Sequence, residues 1–177
     1  MRSDSACGIP AGEQLVPLRP IGARWEHIGE YVAPAARSIG PGIRDGHRRL
    51  CFAHSPRGAV FAAYSYFASA GTYPDDVGLL RELTAAGEVR DAVLRRGGEP
   101  RSDPNTHAEL VGFRVRDYSP HAATVLLGAR VAPKPSAEMD LAQTGSQLAS
   151  MTLRIFCSNC SYVAGPYCAS RSWPARS

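Results

Sequence analysis

A chain of 177 residues, 44% hydrophobic and 20% charged, with a formal net charge of +4, is proportioned for one globular domain with a sizeable core. Its basic side chains are nearly all arginine, Lys134 being the one lysine. They are scattered, with only Arg48-Arg49 and Arg95-Arg96 as pairs, which excludes a concentrated nucleic-acid footprint. No apolar run approaches the ~20 residues of a membrane span, and Arg2 is not followed by the apolar stretch of a signal peptide, so no address is expected in the chain.

Residues 1–50 are rich in Pro and Gly and short of periodicity, which predicts an arm of extended chain and turns. Trp25, Ile28, Tyr31 and Val32 are its expected anchors, at a spacing that fits either one helical turn or a strand. The first firm helix is expected over 56–70. Ser55 is placed to cap it, Pro56 sits at the first helical position, where its missing N–H costs nothing, and Gly71 is a natural stop. Val60, Phe61, Tyr64, Phe67 and Ala68 fall on one stripe. Ala59, Ala62 and Ala63 leave the flank thin enough for another layer to approach. A second helix follows, capped by Asp75 or Asp76, with Val77, Leu79, Leu80 and Leu83 on its apolar face. Beyond Gly87 a third runs over 88–96, with Val89, Ala92 and Val93 as its stripe.

After a polar linker at 99–106 the period changes to two. Val111, Phe113 and Val115 alternate with polar positions as in a half-buried strand. A turn at 118–121 leads to a second strand over 124–131, making a hairpin. A third strand is expected over 148–156, with Met151, Leu153 and Ile155 on one face, and a fourth over 161–164. Helices followed by an antiparallel meander imply an α+β architecture, the helices packed on one face of a C-terminal sheet. The chain divides into an arm (1–50), one α+β domain (51–156) and an irregular tail (157–177).

Particular residues carry a family resemblance. Cys7, the run Ala11-Gly-Glu-Gln-Leu-Val-Pro17, Trp25, Gly40-Pro41 and above all Cys51-Phe-Ala-His-Ser-Pro-Arg-Gly-Ala59 are similar to actinobacterial proteins of unknown biochemical function. Those proteins are associated with plasmids and integrative elements, and some are labelled conjugal transfer proteins. Val111-Gly-Phe-Arg-Val-Arg-Asp-Tyr-Ser-Pro120 fits the same pattern. The resemblance covers about 7–155 and implies a domain outside the membrane, in a family that often carries an N-terminal membrane anchor. The helix-then-sheet order also looks like the nuclear-transport-factor-like (cystatin-like) cone of type IV secretion assembly proteins. No such anchor is expected in this chain. From Phe156 its Cys, Ser, Arg and Pro content departs from the expected return strand, which reads as a frameshifted or decayed tail.

The resemblance also bears on cysteine. Cys7 and Cys51 are either a disulfide tying the arm to the start of the first helix, which implies an oxidising compartment, or two independent thiols. Cys157-x-x-Cys160 with Cys168 lacks the fourth ligand of a zinc site and the helix context of a redox pair. His54, before the helix cap, is either a general base or a partner in a local backbone hydrogen bond. His27, His47, His107 and His121 have no metal spacing. Asp75, Asp76, Asp91, Asp117 and Tyr64 are the polar groups available to face a cone-shaped cavity, but Asp75 and Asp76 are better explained as caps and Tyr64 as core with its hydroxyl at an edge. Gly97-Gly98 lacks the context of a phosphate loop. No catalytic constellation, cofactor or metal is expected. The reading is a non-enzymatic scaffold or interaction domain of a conjugation- or secretion-associated membrane apparatus, with protein partners, itself among them, and no nucleic acid. The alternative is a small-molecule-binding protein or enzyme using a cavity between helices and sheet.

Overall fold

The computed structural model describes residues 8–18, 22–83, 88–95, 106–119, 122–133, 147–158 and 161–167. Two hairpins come first: β1 (Arg24–Ile28) with β2 (Tyr31–Ala35), and β3 (Ile43–Asp45) with β4 (Arg48–Leu50). Three helices follow, α1 (Pro56–Thr72), α2 (Val77–Leu83) and α3 (Glu88–Arg95). The chain then enters an antiparallel meander of β5 (Thr106–Tyr118), β6 (Ala122–Pro133), β7 (Gln147–Ser158) and β8 (Ser161–Tyr167), paired in that order. The expected α+β order of helices before an antiparallel sheet is therefore the observed one.

The region read as an arm is more ordered than its Pro and Gly content suggests. Its strands are five and three residues long, too short to print a period of two. Its packing is tertiary. Ile28 and Ala33 meet Ala68 of α1 in a buried cluster, and the Tyr31 ring meets Phe67 edge-on at 5.3 Å. Ile28 is thus an anchor as expected, whereas Val32 is exposed and Trp25 is 52% exposed.

Helix α1 is the centre of the molecule. One flank meets the sheet, where Phe61 shares a core cluster with Val115, Val125, Leu127 and Leu153. The other meets the β1–β2 hairpin through Ala68. A helix apolar all round is a buried helix, and Ala59, Ala63 and Ala68 are all fully buried. The thin flank does admit a second layer. The expected stop at Gly71 moves to Thr72, with Tyr73 as the cap. Gly71 serves a close approach instead: a Cβ there would lie 2.9 Å from the Tyr31 ring.

In α2, Asp76 is the cap, its carboxylate accepting the Leu79 N–H at 2.8 Å. Leu79, Leu80 and Leu83 are buried, while Val77 is exposed, contrary to expectation. It opens the helix before the buried turn begins. The side chains of Val89 and Val93 and residue Gly87 lie outside the described residues.

Along β6, Ala123, Val125, Leu127 and Ala129 are buried in strict alternation. Their register partners on β7 include Ile155, Leu153 and Met151, and Leu153 is buried. Along β5 the alternation breaks. Leu110 pairs with Ala129 and Gly112 with Gly128, leaving Val111 as a bulge residue. The bulge shifts the inward phase from Val111 to Leu110, and Val111 is 46% exposed. The expected fourth strand extends to Tyr167, returning along β7 from Ser158 to Thr152.

Candidate interaction cleft

The most distinctive local sequence builds structure. Ser55 Oγ accepts the Gly58 N–H at 3.1 Å, and Pro56 occupies the first helical position. Ala53 donates its N–H to Ile39 O at 2.7 Å, which fixes the chain entering the helix. Gly58 lies so close that a Cβ would sit 1.8 Å from Ala53 O. Only a residue without a side chain fits there. Cys51, with φ of 68°, is buried with Ile9 and Ala53 and is disulfide-bonded. Cys7 lies outside the described residues.

The N-terminal segment is tied to this helix entry. Gln14 Nε2 donates to His54 O at 2.9 Å, Tyr118 Oη donates to Gln14 Oε1 at 3.0 Å, and Arg57 pairs with Glu13 at 3.3 Å. These contacts carry residues 16–18 along one side of an apolar cleft of about 530 Å³, with β1, β2, α1 and β5 forming the rest. That volume lies within the ordinary range of ligand pockets. Tyr64 makes the floor, its ring 5.7 Å from Trp25 and 6.5 Å from Phe113. Burial pushes the Tyr64 phenol pKa up. Leu18 at 94%, Trp25 at 52% and Val111 at 46% exposure form the apolar rim. Arg114 is the cation among the lining residues, and no carboxylate or histidine is described there.

The cleft runs along the free side of β5, the outermost strand of its sheet. Exposed strand edges template pairing with other chains. Here the bulges at Val111 and Arg116 interrupt the ladder, which limits such pairing and leaves side-chain docking as the favoured mode.

Two polar groupings lie elsewhere. His47 Nε2 is 2.9 Å from Asp76 Oδ2, and its ring stacks on Tyr73 at 4.1 Å. This ties the β3–β4 turn to the start of α2, and the adjacent Arg48 carboxylate bridge to Glu82 reinforces it. The second grouping gathers Arg24, Arg44 and Arg49 around Glu26. Burial raises the Glu26 pKa, but the hydrogen bonds and charges of Arg44 and Arg24 outweigh it and leave the carboxyl below its ordinary range.

Of the residues singled out in the sequence, Ser55, Pro56 and Phe61 are buried at the helix start and in the core, Tyr64 floors the cleft, and Phe67 is half-buried against Tyr31. His54 offers its carbonyl to Gln14. His27, Asp75, Asp91 and Asp117 are exposed, so the acids and Tyr64 do not converge. Cys157 pairs with Tyr162 in the β7–β8 ladder. Cys160, Cys168, His121, Gly97 and Gly98 and the side chain of His107 lie outside the described residues. Among the described residues no group of three or more His, Cys, Asp or Glu could hold a metal ion, and no helix is long and apolar enough to cross a membrane. Sequence reasoning expected a cavity between helices and sheet but not the wall that residues 16–18 and Trp25 add to this cleft, and it missed the arginine cluster. The signals were the solitary apolar residues Leu15, Val16 and Leu18 and the alternation Arg24-x-Glu26.

A family model described as a domain of unknown function (DUF8175) matches residues 1–154. Comparison with curated proteins and with solved structures gives no match.

Proposed function

The chain belongs to the DUF8175 family, and we propose that it is a non-enzymatic interaction domain that docks a protein partner in the cleft beside β5. The observation that carries this reading is the exposed apolar rim of Leu18, Trp25 and Val111 around the Tyr64 floor. Apolar patches of this kind, left in water, mark interaction sites. An apolar, water-exposed surface with aromatic anchors is the anatomy of a protein interface centre. The resemblance to mobile-element and conjugal transfer proteins supports placing the partner in a conjugation or secretion apparatus. A Cys7–Cys51 disulfide supports an extracytoplasmic site, since such bonds persist in oxidising compartments; Cys51 itself is bonded. Helices on one face of an antiparallel sheet support the nuclear-transport-factor-like cone as the fold type.

A photo-crosslinking amino acid placed at Val111 in the native host tests the reading. The expected result is a discrete protein adduct that disappears when Trp25→Glu is added, while the same probe at exposed Arg37 gives none. Adducts of equal yield from both positions overturn it. A second reading rests on the cleft volume and its largely apolar lining: a small apolar molecule occupies the site. Native mass spectrometry of host-purified protein distinguishes the two, because a bound small mass lost in Trp25→Glu belongs to that second reading.

A further inference from the structure

The two N-terminal hairpins meet at a charge arrangement that their own folding does not require. In the β3–β4 hairpin Arg44 lies directly opposite Arg49. Like charges opposite one another in an antiparallel pair are unfavourable. Both Nε atoms turn to the same oxygen of Glu26 on β1, Arg44 at 3.2 Å and Arg49 at 3.7 Å. Arg24, two residues before Glu26, takes its other oxygen at 2.5 Å. Three guanidiniums therefore share one carboxylate, and the cluster keeps a net charge of +2.

The donors left over are specific. Arg44 uses only its Nε, so among the described residues both of its terminal nitrogens have no acceptor. Arg49 spends one terminal nitrogen on Gly46 O at 2.7 Å and Arg48 O, and its other is unused among the described residues. Arg49 is held rigidly, its side chain only 13% exposed, whereas Arg44 is 39% and Arg24 75% exposed. A half-buried cation held to the Gly46 carbonyl, beside two more accessible ones, is preorganised for an anion with several oxygens. Planar guanidinium forks match phosphoryl oxygens in pairs.

We propose that Arg24, Arg44 and Arg49 form a binding site for a phosphoryl anion, with Glu26 as an internal stand-in for it. Glu26 holds the arginines in place when the site is empty, and the arriving phosphoryl group uses the terminal N–H groups that Glu26 leaves free. The site is independent of the cleft: strand alternation puts Arg24 and Glu26 on the face of β1 opposite Trp25. The ligand is either a soluble phosphate compound or the headgroup of an anionic phospholipid, and both present the same oxygens.

The stand-in role predicts a sign that a purely structural cluster does not. Thermal unfolding of the whole chain is followed in inorganic phosphate against chloride at matched ionic strength, so that general screening is equal. Phosphate is expected to raise Tm in the wild type. Arg44→Gln with Arg49→Gln is expected to weaken phosphate binding roughly tenfold or more, the worth of a charged hydrogen bond. Glu26→Gln is expected to lower Tm in chloride yet to bind phosphate more tightly than the wild type. Glu26→Asp, which keeps the charge, serves where Glu26→Gln does not fold, and is expected to retain binding. Co-sedimentation with phosphatidylcholine vesicles, with and without phosphatidylglycerol, separates the sources: arginine-dependent binding to the anionic vesicles assigns a lipid headgroup, and none assigns a soluble ligand. An equal Tm in phosphate and chloride for both wild type and the Glu26 variant, or phosphate binding unchanged by the double arginine substitution, overturns the proposal.

Discussion

The run from Cys51 to Ala59 illustrates how a few residues can be distinctive without doing chemistry. Ser55 caps, Pro56 starts the helix, and Gly58 makes room for the Ala53 carbonyl. Ser55→Ala removes the acceptor for the Gly58 N–H at a buried helix start, and about 1 kcal/mol of stability is expected to be lost; urea unfolding with an unchanged m-value checks this. Gly58→Ala forces a methyl into backbone oxygen that cannot swing aside, and its cost is expected to exceed that of the cap, with a visibly lower Tm. Asp76 offers a pH-dependent counterpart. The Leu79 N–H, and then His47, hold its carboxyl below the ordinary value near 4. A carboxyl with a depressed folded pKa contributes stability that is present above its unfolded pKa and is lost as pH falls through the folded one. Denaturation midpoints are therefore expected to drop below about pH 4, and Asp76→Asn is expected to flatten that limb. An identical acid limb in the variant would show that other carboxyls dominate it.

At the scale of elements, legibility followed length and burial geometry. The long α1 and the β5–β6 hairpin announced themselves because many residues repeat one period. The short strands β1 to β4 did not, since three to five residues cannot establish a period amid Pro and Gly. Their existence is decided by tertiary packing on α1, which no local pattern records. The β5 phase failed for a different reason: a bulge at Val111 adds one residue and turns an inward position outward. The same bulge brings Val111 to the rim of the cleft, so the local departure from alternation is also what exposes the candidate site. Phe61 sits where helix and sheet meet and is 1% exposed. Phe61→Ala is expected to cost about 3–5 kcal/mol, read as a fall in Tm. A loss below about 1 kcal/mol would mean that the helix does not rest on the sheet through this ring.

For the whole molecule, the question is what keeps the segment before β1 attached to the core. Among the described residues that segment's non-covalent ties are few and mostly polar: Gln14 to His54 and Tyr118, and Glu13 to Arg57. Ile9 adds a small buried contact with Cys51 and Ala53. Exposed pairs of this kind are each worth under about 1 kcal/mol, too little alone to order the segment against its conformational entropy. Cys51 is disulfide-bonded, and a bond from it to this segment would add the constraint that these ties lack. With Cys7 as its partner, the closed loop is long enough to stabilise the fold by roughly 3–4 kcal/mol on the chain-entropy account. Reductant is then expected to lower Tm in the wild type and to leave a Cys7→Ala variant, already destabilised, unchanged. Non-reducing peptide mapping should recover a Cys7–Cys51 cross-linked peptide. A Cys7→Ala protein that still responds to reductant would assign the bond at Cys51 to a different cysteine. The same segment forms one wall of the cleft, so loss of the cross-link is expected to reduce photo-crosslinking at Val111 as well as stability. That joint loss would tie compartment, fold and partner binding to one covalent bond.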